Sequence, residues 1–140
     1  SAKCMHLQLE NKQGSLNLKL NADRFVVMGD KTHLTNTFCN LIDNAIKYSI
    51  DTPEISIQTF NSDANLVMVV SDKGIGIEKE YQDKVFDKFF RVPSNNLHNV
   101  KGFGLGLAYI KTIIELHKGE INLESEKQIG TTFTITIPYV

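Results

Sequence analysis

The sequence has no excess of charge of either sign. Fifteen Lys and Arg face sixteen Asp and Glu over 140 residues, a formal net charge of −1 with the four histidines neutral. Charge therefore points to neither nucleic acid nor an anionic membrane, and any bound anion must be held by local groups. Cysteine is scarce: Cys4 and Cys39 lie far apart, with no metal-type spacing to a histidine, and both read as reduced thiols. No apolar run approaches the roughly 20 residues of a membrane span, and no signal-peptide pattern opens the chain. No repeat, low-complexity run or proline-rich linker divides it. A single domain is expected over 1–140, with residues 1–5 as a ragged end. At this length, with 41% hydrophobic residues, one core suffices. Two phosphate-binding motifs are missing as well. A G-x-G-x-x-G fingerprint would need glycine at 107 and finds Leu107, and no G-x-x-x-x-G-K-[ST] occurs.

The periodicity that is present alternates between strand and helix. Leu16, Leu18 and Leu20 alternate with polar residues, and Phe25 to Met28 form a short apolar run, so two early strands are expected. Gly29-Asp30 stops the second and offers Asp30 as a helix N-cap. Leu34, Phe38, Leu41, Ile42, Ala45 and Ile46 recur at helical spacing until Pro53 closes the segment. Ile55, Ile57 and Thr59, then Leu66 to Val70, read as a hairpin turning at Asn61-Ser62-Asp63. Tyr81 to Phe90 reads as a short helix or turn, and 92–101 as a mobile loop. A second amphipathic helix carries Leu107, Ile110 and Ile114, with Gly119 as its C-cap. Strands over 121–125 and 132–137 close the chain. The pattern predicts an α+β, two-layer α/β sandwich: a mixed sheet of about five strands covered on one face by about three helices.

Three polar segments stand out. On a helical wheel Asn40, Asn44 and Lys47 fall within roughly 60° of arc, opposite the apolar face. Such a stripe fits a solvated outer face, and it also fits amide oxygens for Mg²⁺ beside an ammonium for phosphate. Asp72 ends an apolar strand before Gly74 and Gly76. That fits an Asx turn, or a carboxylate accepting from an exocyclic amine and so selecting adenine. Gly102, Gly104 and Gly106 open the second helix, either as a merely flexible loop or as bare amides approaching an anion.

Taken in order, these segments resemble the ATP-binding catalytic domain of sensor histidine kinases, in the superfamily of gyrase-type topoisomerases, ninety-kilodalton heat-shock chaperones and mismatch-repair ATPases. Asn40 to Tyr48 is similar to the N box, Asp72 to Gly76 to the first glycine box, Phe86-Asp87-Lys88-Phe89-Phe90-Arg91 to the F box, and Gly102 to Leu107 to the second glycine box. Gly130-Thr131-Thr132-Phe133 resembles the last box, so the match spans nearly the whole chain.

The resemblance implies a mobile ATP lid between the F box and the second helix. It implies ATP and Mg²⁺ as ligands, with Asn40 and Asn44 holding metal and phosphates, Lys47 supporting phosphates, Lys88 among the ATP-binding residues, and Arg91 near the terminal phosphate. Asn44, Arg91 and Lys47 would carry the catalytic roles. Tyr48 would pack on adenine, although core packing is equally open to it. Asp72 would accept from the adenine amine, and Gly74 and Gly76 would shape the base pocket. Gly102, Phe103, Gly104, Leu105, Gly106 and Leu107 would close over the phosphates, and Thr131 would support the base through water. Phe86, Phe89 and Phe90 would pack under the lid.

The activity implied is transfer of the ATP γ-phosphoryl group to a histidine on a separate dimerisation domain, then to a response regulator receiver domain. The parent would be dimeric and this domain alone monomeric. It would be cytoplasmic, or the cytoplasmic part of a membrane-anchored sensor. Hydrolytic members of the superfamily carry a glutamate where this chain has Asn40, which cannot take a proton at neutral pH. An ATPase of the gyrase or chaperone type is thus one alternative, and a degenerate nucleotide-binding regulatory module is another. Phe103 departs from the usual Thr or Ser of the lid. His6, His33, His98 and His117 each lack a phosphoacceptor context, which places the target histidine outside this chain.

Overall fold

The structure, a computed structural model, describes residues 6–92 and 106–140. Helix α1 (His6–Asn11) precedes β1 (Ser15–Leu20), α2 (Lys31–Lys47), β2 (Glu54–Ser62) and β3 (Asn65–Asp72). The single turn α3 (Lys79–Gln82), α4 (Gly106–Leu116), β4 (Glu120–Glu126) and β5 (Gly130–Pro138) complete the described elements. The strands form one sheet in the order β1-β2-β3-β5-β4. β1 runs parallel to β2 and the other pairs are antiparallel. This is the mixed α+β sheet that the alternating periodicities predict.

Strand alternation decides which face is covered. Ile57, Val70, Phe133 and Leu123 are register partners in one row across four strands. That row, with Ile55, Ile121, Ile135 and Ile137, joins Leu41, Ile42 and Ile46 of α2 and Ile110 and Ile114 of α4 in one core. Each fully buried Ile or Leu contributes about 1.5–3 kcal/mol relative to exposure, so the two long helices are held mainly by this face. Thr132, Thr134 and Thr136 point the other way and are partly exposed, which leaves a two-layer sandwich.

The ends of the long helices are fixed chemically. Asp30 caps α2, its carboxylate accepting from the His33 amide at 2.8 Å. At the end of α4 the Gly119 amide donates to the Ile114 carbonyl and the Lys118 amide to that of Glu115. This is a Schellman motif, but its left-handed residue is Lys118, at φ 59°, and not Gly119. Gly119 is small for another reason: a Cβ there would press on the Thr136 carbonyl oxygen.

Three expectations are corrected, and one element went unpredicted. Phe25 to Met28 is not a sheet strand, because the chain end beside it offers only the isolated bridge Val27↔Tyr139 and a hydrogen bond from Val140 to Val26. The segment is instead pinned by Asn61, whose side chain accepts from the Asp23 and Arg24 amides and donates to the Arg24 carbonyl. The β2–β3 turn lies one step later than expected, with Asp63 left-handed at φ 53° and Ser62 still paired to Asn65. α1 went unpredicted, since six residues give too little periodicity to register. Cys39 is disulfide-bonded rather than a reduced thiol, so it gives no argument for a reducing compartment; Cys4 lies outside the described residues.

Candidate active site

The end of α2, the end of β3 and the start of α4 enclose a cavity of about 250 Å³. Helix geometry explains its polar wall. Asn40 and Asn44 are one turn apart, and both line the cavity with Lys47 and Tyr48, while Leu41, Ile42, Ala45 and Ile46 of the same helix are buried in the core. The polar stripe is therefore the wall of a cavity and not an open solvated face. Asp43 also lines it, and its carboxylate holds the Lys47 ammonium at 2.8 Å. Asp43 lies roughly 60° from Asn40 on the same wheel, so the wheel that found the asparagines could have found it too.

Opposite stands Asp72, the last residue of β3. Its carboxylate accepts from the Gly74 amide at 2.8 Å. Burial raises its pKa to about 6, against the opposing pull of the backbone amides of Gly74 and Thr131. A carboxylate removed from water and, among the described residues, not neutralised by a cation retains strong acceptor capacity for a ligand donor.

The two glycines after Asp72 serve different neighbours. A side chain on Gly74 would meet the Tyr48 carbonyl, and that carbonyl accepts from the Ile75 amide at 3.0 Å, so Gly74 lets the loop dock on the end of α2. Gly76, at φ +69°, lies against the Glu126 carbonyl of the β4–β5 turn. The Gln128 amide donates to the Ile75 carbonyl at 2.6 Å, and Lys127 pairs with Glu78. The turn thus grips the loop that forms the cavity floor. Ser125 and Gln82 complete the grip: the Ser125 hydroxyl accepts from the Ile77 amide, and the Gln82 side chain donates to the Ile77 and Ser125 carbonyls.

Of the residues singled out from sequence, Asn40, Asn44, Lys47, Tyr48, Asp72, Gly76, Arg91, Gly106, Leu107 and Thr131 line this one cavity. Gly74 is not among its lining residues, and neither is Lys88, which is exposed. Gly102, Phe103, Gly104 and Leu105 lie outside the described residues, as does most of the 92–101 loop. Sequence reasoning missed Asp43 and the apolar lining of Ile75, Ile77, Val85 and Phe133; Phe90, expected to pack under the lid, lines the cavity as well. That lining has no motif of its own and is brought together only by the fold. Phe86, expected to pack, contacts Phe133 edge-on with ring centroids 6.3 Å apart. Phe89 is exposed, with φ 65°.

A cavity with polar amides on one wall, an uncompensated carboxylate on the other and apolar sides suits a ligand with a flat base and a charged tail. Residues 29–140 match the family model described as histidine kinase-, DNA gyrase B-, and HSP90-like ATPase. The chain is 47% identical over 134 residues to the sensor protein RprX of Bacteroides fragilis, covering 94% of this chain and 26% of that protein. It is 42% identical over 115 residues to the sensor histidine kinase WalK of Bacillus subtilis, covering 79% and 18%. The chain thus spans about a quarter or less of the length of these relatives. Among solved structures, the nucleotide-free catalytic domain of histidine kinase ThkA superposes with a TM-score of 0.78 at 25% identity, covering 98% of this chain and 86% of that one. The mycobacterial sensor histidine kinase MprB, at 24% identity and a TM-score of 0.81 over 99% and 91%, shares the fold. The chain belongs to the histidine kinase-, DNA gyrase B- and HSP90-like ATPase family, and within it to the ATP-binding catalytic domains of sensor histidine kinases.

Proposed function

We propose that the cavity binds ATP with Mg²⁺ and presents its γ-phosphoryl group to a histidine on a separate helical domain of a longer parent. The observation that carries this reading is the convergence of Asn40 and Asn44 from α2 with Asp72 from β3 on one cavity of nucleotide-compatible shape. The amide oxygens of Asn40 and Asn44 are hard neutral donors of the kind Mg²⁺ accepts alongside phosphate oxygens and water, so the donor chemistry fits. The ion, when bound, neutralises charge on the phosphates. The chain's own residues position the rest. Asp72 accepts from the adenine amine, Tyr48 and Ile75 flank the base, and Lys47 and Arg91 supply positive charge toward the phosphates. Lys47 now pairs with Asp43, so reaching a phosphate means exchanging that partner. Lys88 is assigned to ATP binding, and the amides of Gly102 to Leu107 to the phosphates, by resemblance.

Asn40 separates transfer from hydrolysis. It stands one turn before Asn44 and cannot deprotonate water, whereas a histidine nitrogen is already nucleophilic and phosphoryl transfer depends mainly on positioning and charge. The dimerisation domain, the response regulator receiver domain, a dimeric parent and a cytoplasmic location complete the proposal. Among the described residues no helix is long and apolar enough to cross a membrane.

The test is calorimetric titration with a non-hydrolysable ATP analogue, with and without Mg²⁺, on the chain and on Asn44→Ala. The expected result is Mg²⁺-dependent binding that weakens at least tenfold in the variant, roughly the effect of losing one charge-assisted contact. Equal binding by both would refute the assigned role of Asn44, and no binding by the parent chain would favour a degenerate module.

A further inference from the structure

We propose that Ser125 is a positioning residue that sets the base preference of the cavity without touching the ligand, by fixing which way the Thr131 hydroxyl points. The inference rests on the nucleotide reading above and extends it to a residue of β4.

A serine hydroxyl has one hydrogen and two lone pairs. The Ser125 hydroxyl has three neighbours within hydrogen-bond distance. The Ile77 amide, at 2.8 Å, can only donate, so it takes one lone pair. The Gly130 carbonyl, at 3.0 Å, can only accept, so it takes the single hydrogen. The third neighbour is the Thr131 hydroxyl at 2.8 Å. With its hydrogen used, Ser125 can only accept there, and Thr131 must be the donor. The Thr131 hydrogen is thereby turned away from the cavity that Thr131 lines. What Thr131 offers the cavity is lone pairs alone.

Asp72, the register partner of Thr131 on β3, is an acceptor in its ionised form. The wall made by the two residues therefore presents acceptors only. A purine with a 6-amino group brings a donor to such a wall. A purine with a 6-keto oxygen sets that oxygen's lone pairs against the wall's, and its single N1–H can satisfy only one of the two acceptors. Removing the Ser125 hydroxyl frees the Thr131 hydrogen to rotate into the cavity, where it can donate to a keto oxygen. The change is one of polarity, not of size. It raises affinity for the keto base while leaving the amino base nearly unaffected, whereas a general loosening of the turn lowers both.

The experiment titrates the chain, Ser125→Ala, Thr131→Val and the double variant with ATP and with ITP, which carries a 6-keto oxygen and an N1–H in place of the 6-amine and the bare N1. Ser125→Ala is expected to narrow the ATP-to-ITP affinity ratio by roughly tenfold, about one hydrogen bond, through tighter ITP binding. In the Thr131→Val background the same change should leave the ratio unmoved, since there is no hydroxyl to redirect. Should Ser125→Ala not fold by thermal melting, Ser125→Cys, a weak donor and acceptor, is read the same way. An ATP preference that survives Ser125→Ala, or a shift equally large with Val at 131, overturns the role of Ser125 and leaves the nucleotide site standing. Failure of the unmodified chain to bind either nucleotide overturns both.

Discussion

Asp72 carries opposite demands from folding and from binding, and pH separates them. Burial pushes its carboxyl up to about 6 from an ordinary 3.8, so the native state binds this proton more tightly than the unfolded chain. Its contribution to stability is thus fully present below about pH 4 and is lost as pH rises through about 6. At neutral pH the ionised carboxylate is a folding cost, which the proposed function explains by the adenine amine's need for an acceptor. Asp72→Asn should therefore melt higher than the parent at pH 7.5, with the difference vanishing toward pH 4. Nucleotide affinity should behave the other way. In the parent it should fall below about pH 6, by up to tenfold per unit as the acceptor is protonated. Asp72→Asn should bind weakly throughout and lack that limb, which separates Asp72 from the titration of the phosphates. Melting curves and calorimetry at four or five pH values suffice, and a variant less stable than the parent at pH 7.5 would contradict the argument.

Among elements, the β4–β5 turn and the loop after β3 act as one unit, and glycine chemistry shows where they meet. Gly76 is left-handed and in contact with the Glu126 carbonyl, whereas at Gly106, at the start of α4, a Cβ would meet nothing among the described residues. Gly76→Ala must move the turn off the loop and break the Gln128 to Ile75 hydrogen bond; a cost of about 2–3 kcal/mol is expected. Gly106→Ala should change stability by less than about 0.5 kcal/mol. Urea midpoints of the two variants decide it, and equal effects would sink the distinction. The same contrast shows what was legible in the sequence. Core-facing helices and strands were, because burial imposes periods of 3.6 and 2 on Leu, Ile and Val. Asn40 and Asn44 were as well, because they share a helix face, although Asp43 beside them was missed. The reason for each glycine was not: Gly76, Gly106 and Gly119 look alike in sequence, yet one answers to dihedral and contact together, one to neither and one to contact alone. Nor was Ser125, whose partners Ile77 and Thr131 adjoin it only through the sheet and the docked loop. The apolar run at Phe25 misled because apolar character signals burial only when a partner surface exists, and Phe25, Val26 and Met28 stay 63–78% exposed.

Taken whole, the molecule holds a nucleotide-type cavity but no acceptor within its reach among the described residues. His33 and His117 both lie near Asp30, at the other end of α2. His33 contacts the Tyr109 hydroxyl at 2.9 Å, and His117 accepts from the Asp30 amide at 3.0 Å with its second ring nitrogen at the Ile113 carbonyl. From His33 to Asn44 the helix rises roughly 16 Å, well beyond the 3–3.5 Å of a near-attack geometry. His6 pairs with Glu10 on α1, and none of the three lines the cavity. With Asn40 unable to activate water, neither self-labelling nor rapid hydrolysis is expected of the chain by itself. Incubated with γ-labelled ATP and Mg²⁺, it should stay unlabelled and release phosphate only slowly. Adding a helical acceptor domain from the same parent should produce acid-labile, base-stable label on that domain, and Asn44→Ala should abolish it. Labelling of His33 or His117 would mean that the helices reorganise by more than 10 Å, which the shared core of α2 and α4 opposes. Phosphate release as fast as the transfer would instead place the chain with the hydrolytic members of its family, with Asp43, the carboxylate next to Asn44, as the first residue to replace.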